Sequence, residues 1–300
     1  MTAAPRISII TPTLNAGRTL RRAIQSVRCQ GYPNLEHVIV DGGSTDDTEA
    51  IATSYPHVVW LSEPDRGQSD AMNKGFAMAT GEIIGYLNAD DYYLPCAFDE
   101  IAPAFHAGAD FVVGNILILR PNGSVEVNAP RADRLSFLYH WEPDAFPVNP
   151  VGYFYRRHVQ EAVGGYNIDN AFTMDLEFLL AAASKFRFTR VASRTPLGLF
   201  DMHSETKTAL SSENSAMHCS PKRFAFTEPY VSALPNPDRS AYRRSRRHGY
   251  RICRLQHTLA RTRRTQESIA LLPRYVLLRI ILYFYGRYYR ATSGFYRRLR

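Results

Sequence analysis

The 300-residue sequence predicts an α/β fold, with a mostly parallel central sheet, helices on both faces and a basic, mainly helical C-terminal tail. Three observations carry that expectation. Short apolar, β-branched runs alternate with stretches of helical periodicity, each run ends in small polar or acidic residues, and the charge changes sign near the C-terminus.

Arg6-Ile7-Ser8-Ile9-Ile10-Thr11 reads as a strand ended by Pro12, and residues 18–30 then place Leu20, Ile24 and Val27 at helical spacing. Residues 35–40 form a second strand, closed by the turn Asp41-Gly42-Gly43, and Ser44-Thr45-Asp46-Asp47 resembles a capping box opening a helix through Ser54. A third strand, 57–61, leads through Glu63-Pro64-Asp65-Arg66-Gly67 into a helix over 69–79. After Gly81 the apolar run 83–87 ends in Asn88-Ala89-Asp90-Asp91. Strands and helices alternating at this spacing give parallel crossovers. Further on, the Pro121-Asn122-Gly123 turn joins 116–119 to 124–127 as a β-hairpin.

Composition narrows the classes. With 45% apolar, 12% aromatic and 21% charged residues the chain can bury a core, which excludes disordered and collagen-like architectures. Cys29, Cys96, Cys219 and Cys253 are far apart without a CxxC pair, so neither a zinc ribbon nor a disulfide framework is expected, and a reducing compartment suits them. The N-terminal residues lack the apolar core of a secretory leader, and the apolar stretch 269–285 is broken by Pro273, Arg274 and Arg279. Residues 242–300 hold 16 arginines and one acid, Glu267, a net +15, which leaves residues 1–241 at −7. The turn-rich segment 234–240 marks the boundary.

In open parallel sheets ligands bind beyond the carboxyl ends of the strands. Those positions carry Thr11, Thr13 and Asn15, then Asp41 with its glycine pair, then Glu63 and Asp65, then Asp90 and Asp91. Adjacent acids need a cation or hydrogen-bond donors to offset their charge, and oxygen ligands without nearby cysteine favour Mg²⁺ or Mn²⁺ holding substrate phosphates. The same pair suits a capped turn before Leu94-Pro95, and Gly42-Gly43 suits a plain tight turn. Neither GxGxxG nor GxxxxGK[ST] is present, which weakens dehydrogenase and P-loop readings.

Four segments in order, Ser8-Ile9-Ile10-Thr11-Pro12-Thr13-Leu14-Asn15, Val40-Asp41-Gly42-Gly43-Ser44-Thr45-Asp46-Asp47-Thr48, Asp65-Arg66-Gly67-Gln68-Ser69-Asp70-Ala71-Met72-Asn73-Lys74-Gly75 and Leu87-Asn88-Ala89-Asp90-Asp91, resemble a family 2 glycosyltransferase of the GT-A fold. The resemblance implies an inverting transfer from a nucleotide-diphosphate sugar to an acceptor hydroxyl, with Mn²⁺ or Mg²⁺ as cofactor. It implies that Thr11, Pro12, Thr13 and Asn15 line the nucleoside pocket and that Asp41 bonds the base. Gly43, Ser44, Asp46 and Gln68 complete the nucleotide-sugar site, and Arg66 and Lys74 touch the diphosphate or pair on the surface. Asp90 approaches the ribose or sugar and Asp91 ligates the metal, although Asn88 departs from a strict DxD.

The base is expected in the second half. Phe172-Thr173-Met174-Asp175-Leu176-Glu177 opens an apolar helix with Asp175 in its first turn and Leu176, Leu179 and Leu180 on the core stripe. Position alone equally suits a favourable charge at a helix N-terminus, and the family's acidic motif points to Asp175 as base with Glu177 as fallback. By the same resemblance His203, in Asp201-Met202-His203-Ser204-Glu205-Thr206-Lys207, completes the metal shell or touches the diphosphate, and Lys207 offsets leaving-group charge. Trp141, Phe146, Tyr153, Phe154 and Tyr155 form either an acceptor wall or ordinary core.

The expected organisation is a catalytic domain over 1–234, with a nucleotide-sugar half (1–115) and an acceptor half (116–234), and a basic amphipathic tail over 235–300. Arginines interleaved with aromatics across 242–300 suit an anionic membrane surface, and no nucleic acid is expected. The whole reads as a cytoplasmic enzyme, peripheral on the inner face of the plasma membrane, that glycosylates a saccharide or lipid-linked saccharide in surface polysaccharide or glycolipid assembly. The rivals are a sugar-1-phosphate nucleotidyltransferase, which needs a Gly-rich basic loop after its first strand, and a non-catalytic membrane- or nucleic-acid-binding protein.

Overall fold

The computed structural model describes residues 4–140, 144–191, 195–203, 206 and 224–261. The chain divides into two units, Met1–Phe137 with Asp144–His203, and Leu138–Pro143 with Ser204–Arg300.

The first unit is built on β1 (Ile7–Thr13), α1 (Leu20–Arg28), β2 (Leu35–Asp41), α2 (Thr48–Thr53), β3 (Val58–Ser62), α3 (Gln68–Met78), β4 (Ile83–Tyr86), β5 (Tyr92–Tyr93), α4 (Ala97–His106) and β6 (Phe111–Val113). After these come the hairpin β7 (Ile116–Leu119) and β8 (Val125–Asn128), then α5 (Arg134–Leu138), β9 (Tyr153–Arg156), α6 (Arg157–Val163), α7 (Met174–Lys185), β10 (Phe188–Arg190) and β11 (Gly198–Asp201). A seven-stranded sheet runs in the order β10-β6-β9-β4-β1-β2-β3, and a four-stranded sheet runs β5-β11-β7-β8. The large sheet is parallel except for β9, which pairs antiparallel with both β4 and β6.

Both faces of the large sheet are covered, as expected. Ile39 on one face packs with Leu20, Ile24, Ile51 and Ala52 of α1 and α2. On the other face α3 lies so close that a Cβ on Gly75 would meet Ile10 Cγ2 at 2.3 Å and Val40 Cγ2 at 3.3 Å. Every residue of β1 is buried, which explains why its sequence is an apolar run rather than an alternation.

Two element boundaries differ from expectation for local reasons. The first strand runs through Pro12 to Thr13, because β4 pairs with β1 only as far as Ile10 opposite Tyr86, so Pro12 lies beyond that edge's ladder. The second helix begins at Thr48, not Ser44, because the Ser44 hydroxyl and amide are both engaged by Asp41.

At the opposite end of the sheet from the candidate site, Glu36 gathers three segments. Its carboxylate accepts from Arg6 Nη2 (3.1 Å), Ser8 Oγ, Thr80 N (2.8 Å) and Thr80 Oγ1 (2.9 Å). Burial alone would raise this carboxyl, but the Ser8 and Thr80 hydrogen bonds and the Arg6 charge hold it below its ordinary value.

In the second unit, α8 (Glu228–Ser232) and α9 (Asn236–Arg261) are joined by Arg243 and Arg246 pairing with Glu228 at 2.7 and 3.3 Å. Tyr139 meets Tyr242 edge-on, and His140 stacks on Phe224 with centroids 3.9 Å apart. Along α9, Tyr242, Ser245 and Gly249 are buried, whereas Arg244, Arg247 and Arg251 are exposed on another face. Among the described residues no helix is long and apolar enough to cross a membrane, and the stretch 269–285 lies outside them.

Glu36 supplies a pH test of the sheet's packing. A folded-state carboxyl held below its ordinary value of 4.5 adds stability above that pH, and the contribution is lost as pH falls through it. Glu36→Gln should cost about 1–3 kcal/mol at pH 7 in urea denaturation and flatten the loss of stability below about pH 4.5. An unchanged acid limb would contradict this.

Candidate active site

The carboxyl ends of β1, β2, β3 and β4 lie on one edge, and the loops that follow them are fastened to each other before any ligand is considered. Asn15 adopts a left-handed backbone (φ 50°) that aims its N–H at Ser44 Oγ (2.7 Å), and its Oδ1 accepts from Thr45 N at 2.9 Å. Ala16 N donates to Thr48 Oγ1 (2.8 Å), Gly17 N to Asp46 Oδ2 (2.9 Å) and Gly42 N to Thr13 O (2.9 Å). Hydrogen bonds from the Thr48 hydroxyl and then Gly17 N hold the Asp46 carboxyl below its ordinary value.

Asp41 organises the second loop. It is 1% exposed, and its oxygens accept from Gly43 N (3.1 Å), Ser44 N (2.9 Å), Ser62 Oγ (2.8 Å) and the Ser44 hydroxyl. Gly43 takes φ +94°, and a Cβ on Gly42 would lie 2.6 Å from Asp65 Oδ2. Thr11 is fully buried with its hydroxyl 2.9 Å from His37 Nε2, and burial, followed by the nearby His57 charge, pushes that histidine down to about 3, so it stays neutral. Thr13 is also buried, and its hydroxyl oxygen has no protein partner. The residues expected to touch a nucleoside therefore form the frame of the two loops. Asn15 reaches Ser44 and Thr45, Asp46 takes Gly17 N and Thr48, and Asp41 and Thr11 face inward.

The acids after β4 differ sharply from each other. Asp91 is fully buried, its Oδ1 accepting from Asp201 N (3.0 Å) and its Oδ2 from Asn88 Nδ2 (2.9 Å) and Asn149 Nδ2 (2.8 Å). Burial and then the Asp90 charge push its carboxyl well above the usual range, against the pull of those donors. Asp90 lies at the rim, with Oδ2 3.2 Å from His203 Nε2 and its side chain 28% exposed. Its carboxyl is also raised by burial, with His203 opposing. The sequence expectation put a metal on Asp91, but both Asp91 oxygens are engaged by N–H donors, so the acid that faces solvent is Asp90.

Three neighbours of this centre, Asp201, Arg22 and Asn149, gave no sequence signal, whereas His203 and Gln68 did. The small sheet brings β11 beside β5, which sets Asp201 and His203 next to the acids. Arg22 of α1 donates through Nη2 to Asp90 O and Asp201 Oδ2, both at 2.7 Å, and lies 4.4 Å from the centroid of the Tyr92 ring. Asn149 is held in turn by Val151 N (2.9 Å). Gln68, expected at the site, reaches it by donating from Nε2 to Asn88 Oδ1 at 2.8 Å.

Among the described residues no three His, Cys, Asp or Glu side chains converge as a metal cage. Asp90 and His203 form a two-ligand set of the kind Mg²⁺ or Mn²⁺ uses when phosphate oxygens and water fill the other positions. A cation there would relieve the burial penalty on Asp90, so the residues fit such an ion.

Asp175 lies in the first turn of α7, as expected, and accepts from Tyr153 Oη at 2.9 Å. Leu176, Leu179 and Leu180 are buried. Glu177 accepts from Asn170 Nδ2 (2.7 Å) and from Asn167 Nδ2 (3.2 and 3.3 Å). The start of α7 meets the start of α3, where Ser69 Oγ lies 2.8 Å from Met174 Sδ. Gln68 and Ser69 thus touch the acid centre and the start of α7 from adjacent positions.

At two places packing favours one of the alternatives that the sequence leaves open. The Lys74 ammonium is bound to Glu63 (2.9 Å), Asp70 (3.5 Å) and Pro64 O (2.9 Å), so it braces the loop before α3 instead of facing a diphosphate. Tyr153, Phe154 and Tyr155 are fully buried strand residues and not an exposed wall. Trp141 and Lys207 lie outside the described residues.

A family model described as glycosyl transferase family 2 matches residues 8–168. An uncharacterised glycosyltransferase of Mycobacterium tuberculosis is 32% identical over 198 residues, covering 61% of this chain and 71% of the relative. A PGL/p-HBAD biosynthesis glycosyltransferase of Mycobacterium bovis is 32% identical over 210 residues, covering 65% and 79%. Among solved structures, S. aureus TarS 1–349 in complex with UDP-GlcNAc superposes with a TM-score of 0.62 at 17% identity, covering 91% of this chain and 81% of that one. The mannosyltransferase PcManGT from Pyrobaculum calidifontis, in complex with GDP-Man and Mn²⁺, gives 0.58 at 19%, covering 93% and 81%. These likenesses show the GT-A fold.

The two acids should separate in stability measurements. Asp91→Ala strands three buried N–H donors and should cost about 3–5 kcal/mol in urea denaturation, whereas Asp90→Ala should cost less than about 1 kcal/mol. Equal losses would contradict the division.

Proposed function

The chain belongs to glycosyl transferase family 2, and from that premise we propose that it catalyses an inverting, metal-dependent transfer of a sugar from a nucleoside-diphosphate donor to an acceptor hydroxyl. The observation that carries this reading is the pair of adjacent contacts at the start of α3. Gln68 reaches the acid centre through Asn88, and Ser69 reaches Met174, the residue before Asp175, so a metal-side acid and a candidate base share one edge of the sheet.

In this reading Asp90 and His203 hold the Mg²⁺ or Mn²⁺, and Asp91 is the buried strut behind them. The ion supplies charge neutralisation for the departing diphosphate. Asp175 takes the proton of the acceptor hydroxyl, whose oxygen attacks the anomeric carbon from the face opposite the leaving group, so that configuration inverts as the nucleoside diphosphate departs. The clasped loops after β1 and β2 form one wall of the donor site through their backbone and Asn15. Arg22 fixes the Asp90 peptide, which keeps the carboxylate aimed at the rim.

The acceptor is a saccharide or a lipid-linked saccharide, a reading supported by a relative named as a PGL/p-HBAD biosynthesis glycosyltransferase. The exposed stripe of Arg244, Arg247 and Arg251 on α9, continued by the arginines of the tail to residue 300, suits anionic headgroups and docks the protein peripherally on the inner face of the membrane.

The test of chemistry is release of nucleoside diphosphate from a panel of UDP-, GDP- and dTDP-sugars with Mn²⁺ or Mg²⁺. Release from one donor should vanish on chelation and in Asp90→Ala, and fall about 100-fold in Asp175→Asn. Metal-independent release, or full activity of Asp90→Ala, would sink the assignment.

The test of docking is flotation with vesicles. The full-length protein should bind phosphatidylserine-containing vesicles and not pure phosphatidylcholine ones, and replacing Arg244, Arg247 and Arg251 by Gln should weaken binding about 100-fold. Equal binding to both vesicle types would overturn the electrostatic reading.

A further inference from the structure

Behind Asp175 lies a run of buried tyrosines that the reaction scheme leaves unused. Tyr153 opens β9, is fully buried, and donates to Asp175 Oδ1 at 2.9 Å. Its hydroxyl lies 3.1 Å from that of Tyr166, which is 3% exposed. A phenol has one proton, and an ionised carboxylate can only accept. Since Tyr153 gives its proton to Asp175, Tyr166 must be the donor to the Tyr153 oxygen, and the chain has a single direction, Tyr166 to Tyr153 to Asp175. Hydrogen bonds in such a line polarise one another and strengthen the last one.

Both rings are held rigidly. Tyr166 stacks on Phe178 of α7 with centroids 4.6 Å apart and meets Tyr86 edge-on at 5.3 Å, and Tyr153 lies against Phe111 of β6 at 5.7 Å. The Tyr166 peptide is gripped from both sides by Asn73 of α3, whose Oδ1 accepts from Tyr166 N and whose Nδ2 donates to Tyr166 O, each at 2.8 Å. Gly165 permits this approach, since a Cβ there would lie 2.5 Å from Asn73 Oδ1. The helix that touches the acid centre through Gln68 therefore also anchors the tyrosine chain.

We propose that Tyr153 is a positioning residue for Asp175, with Tyr166 and Asn73 as its support: it fixes one carboxylate oxygen and favours the ionised form that accepts the acceptor proton. The proposal rests on Asp175 being the base. Among the described residues, titratable groups that reach Asp175 include Tyr153 of β9, Tyr166 of the segment before α7 and Tyr86 of β4. Burial, with Asp175 adding to it, pushes the Tyr153 hydroxyl well above its ordinary value, and burial with its phenol neighbours does the same for Tyr166, so both remain donors.

The test is carboxyl ¹³C titration of Asp175 in aspartate-labelled full-length protein, the resonance assigned with Asp175→Asn, alongside donor hydrolysis on the UDP-, GDP- and dTDP-sugar panel. Tyr153→Phe should raise the Asp175 pKa by about one unit, because a hydrogen bond to the charged form is lost, and Tyr166→Phe should raise it by less in the same direction. Any acid limb of hydrolysis should move with it, which a merely structural defect would not do. An unshifted titration in folded Tyr153→Phe overturns the proposal, and if that variant does not fold, an unshifted Tyr166→Phe does so. Full hydrolysis by Asp175→Asn overturns the base reading and the proposal together. Loss of hydrolysis in Asp175→Asn beside an unshifted Tyr153→Phe overturns the proposal alone.

Discussion

A buried carboxylate has to be satisfied, and in this fold the need is met by drawing three separate segments onto Asp91. Asn88 arrives from the same turn, Asn149 from 58 residues away and the Asp201 amide from 110 residues away. The cost of leaving such an acid without donors is several kcal/mol, so the segments that carry them hold together. Once they are held, Asp90 and His203 have few other places to be. The small sheet carries His203 to the rim, Arg22 locks the Asp90 peptide from α1, and the two side chains meet at 3.2 Å. Asn88 fits the same logic, since an amide there can donate to Asp91 and accept from Gln68, whereas a carboxylate would oppose Asp91.

The rest of the site follows from parallel topology. Four strands ending on one edge deliver four loops, and hydrogen bonds between the first two make a preformed wall. Preformed loops bind ligand with less ordering cost. On the other side α3 serves as a brace whose first turn and second turn contact different parts of the machinery. Gln68 reaches the acid centre, Ser69 the start of α7, and Asn73 the Tyr166 peptide. That shared brace explains how an acid near residue 90 and one at residue 175 keep a fixed relation within the same unit.

Much of the fold could be read directly because it is written in local patterns. The alternation of apolar runs and helical stretches through residue 87, the Pro121-Asn122-Gly123 hairpin and the position of Asp175 in a first turn each depend on neighbouring residues. Side-chain roles were harder. Lys74 suited either a phosphate contact or a surface pair, and its bonds to Glu63 and Asp70 are the pair, whereas Asp41 turns inward to hold its own loop and the exposed Asp46 clasps Gly17 of the neighbouring loop. The direction of β9 was hidden, since an aromatic run such as Tyr153-Phe154-Tyr155 has the same periodicity whether a strand runs parallel or antiparallel. The burial of Asp91 behind a rim-facing Asp90 was hidden most deeply, because it is decided by Asn149 and Asp201, which no spacing links to residue 91.

The central claim is that the buried acid organises the site while its neighbour faces the ion. Calorimetric binding of UDP and GDP with and without Mn²⁺, to the wild type, Asp90→Ala and Asp91→Asn, tests it most directly. The account predicts that the Mn²⁺-dependent gain in affinity disappears in Asp90→Ala and persists in folded Asp91→Asn. A gain that survives in Asp90→Ala and disappears in folded Asp91→Asn would contradict it.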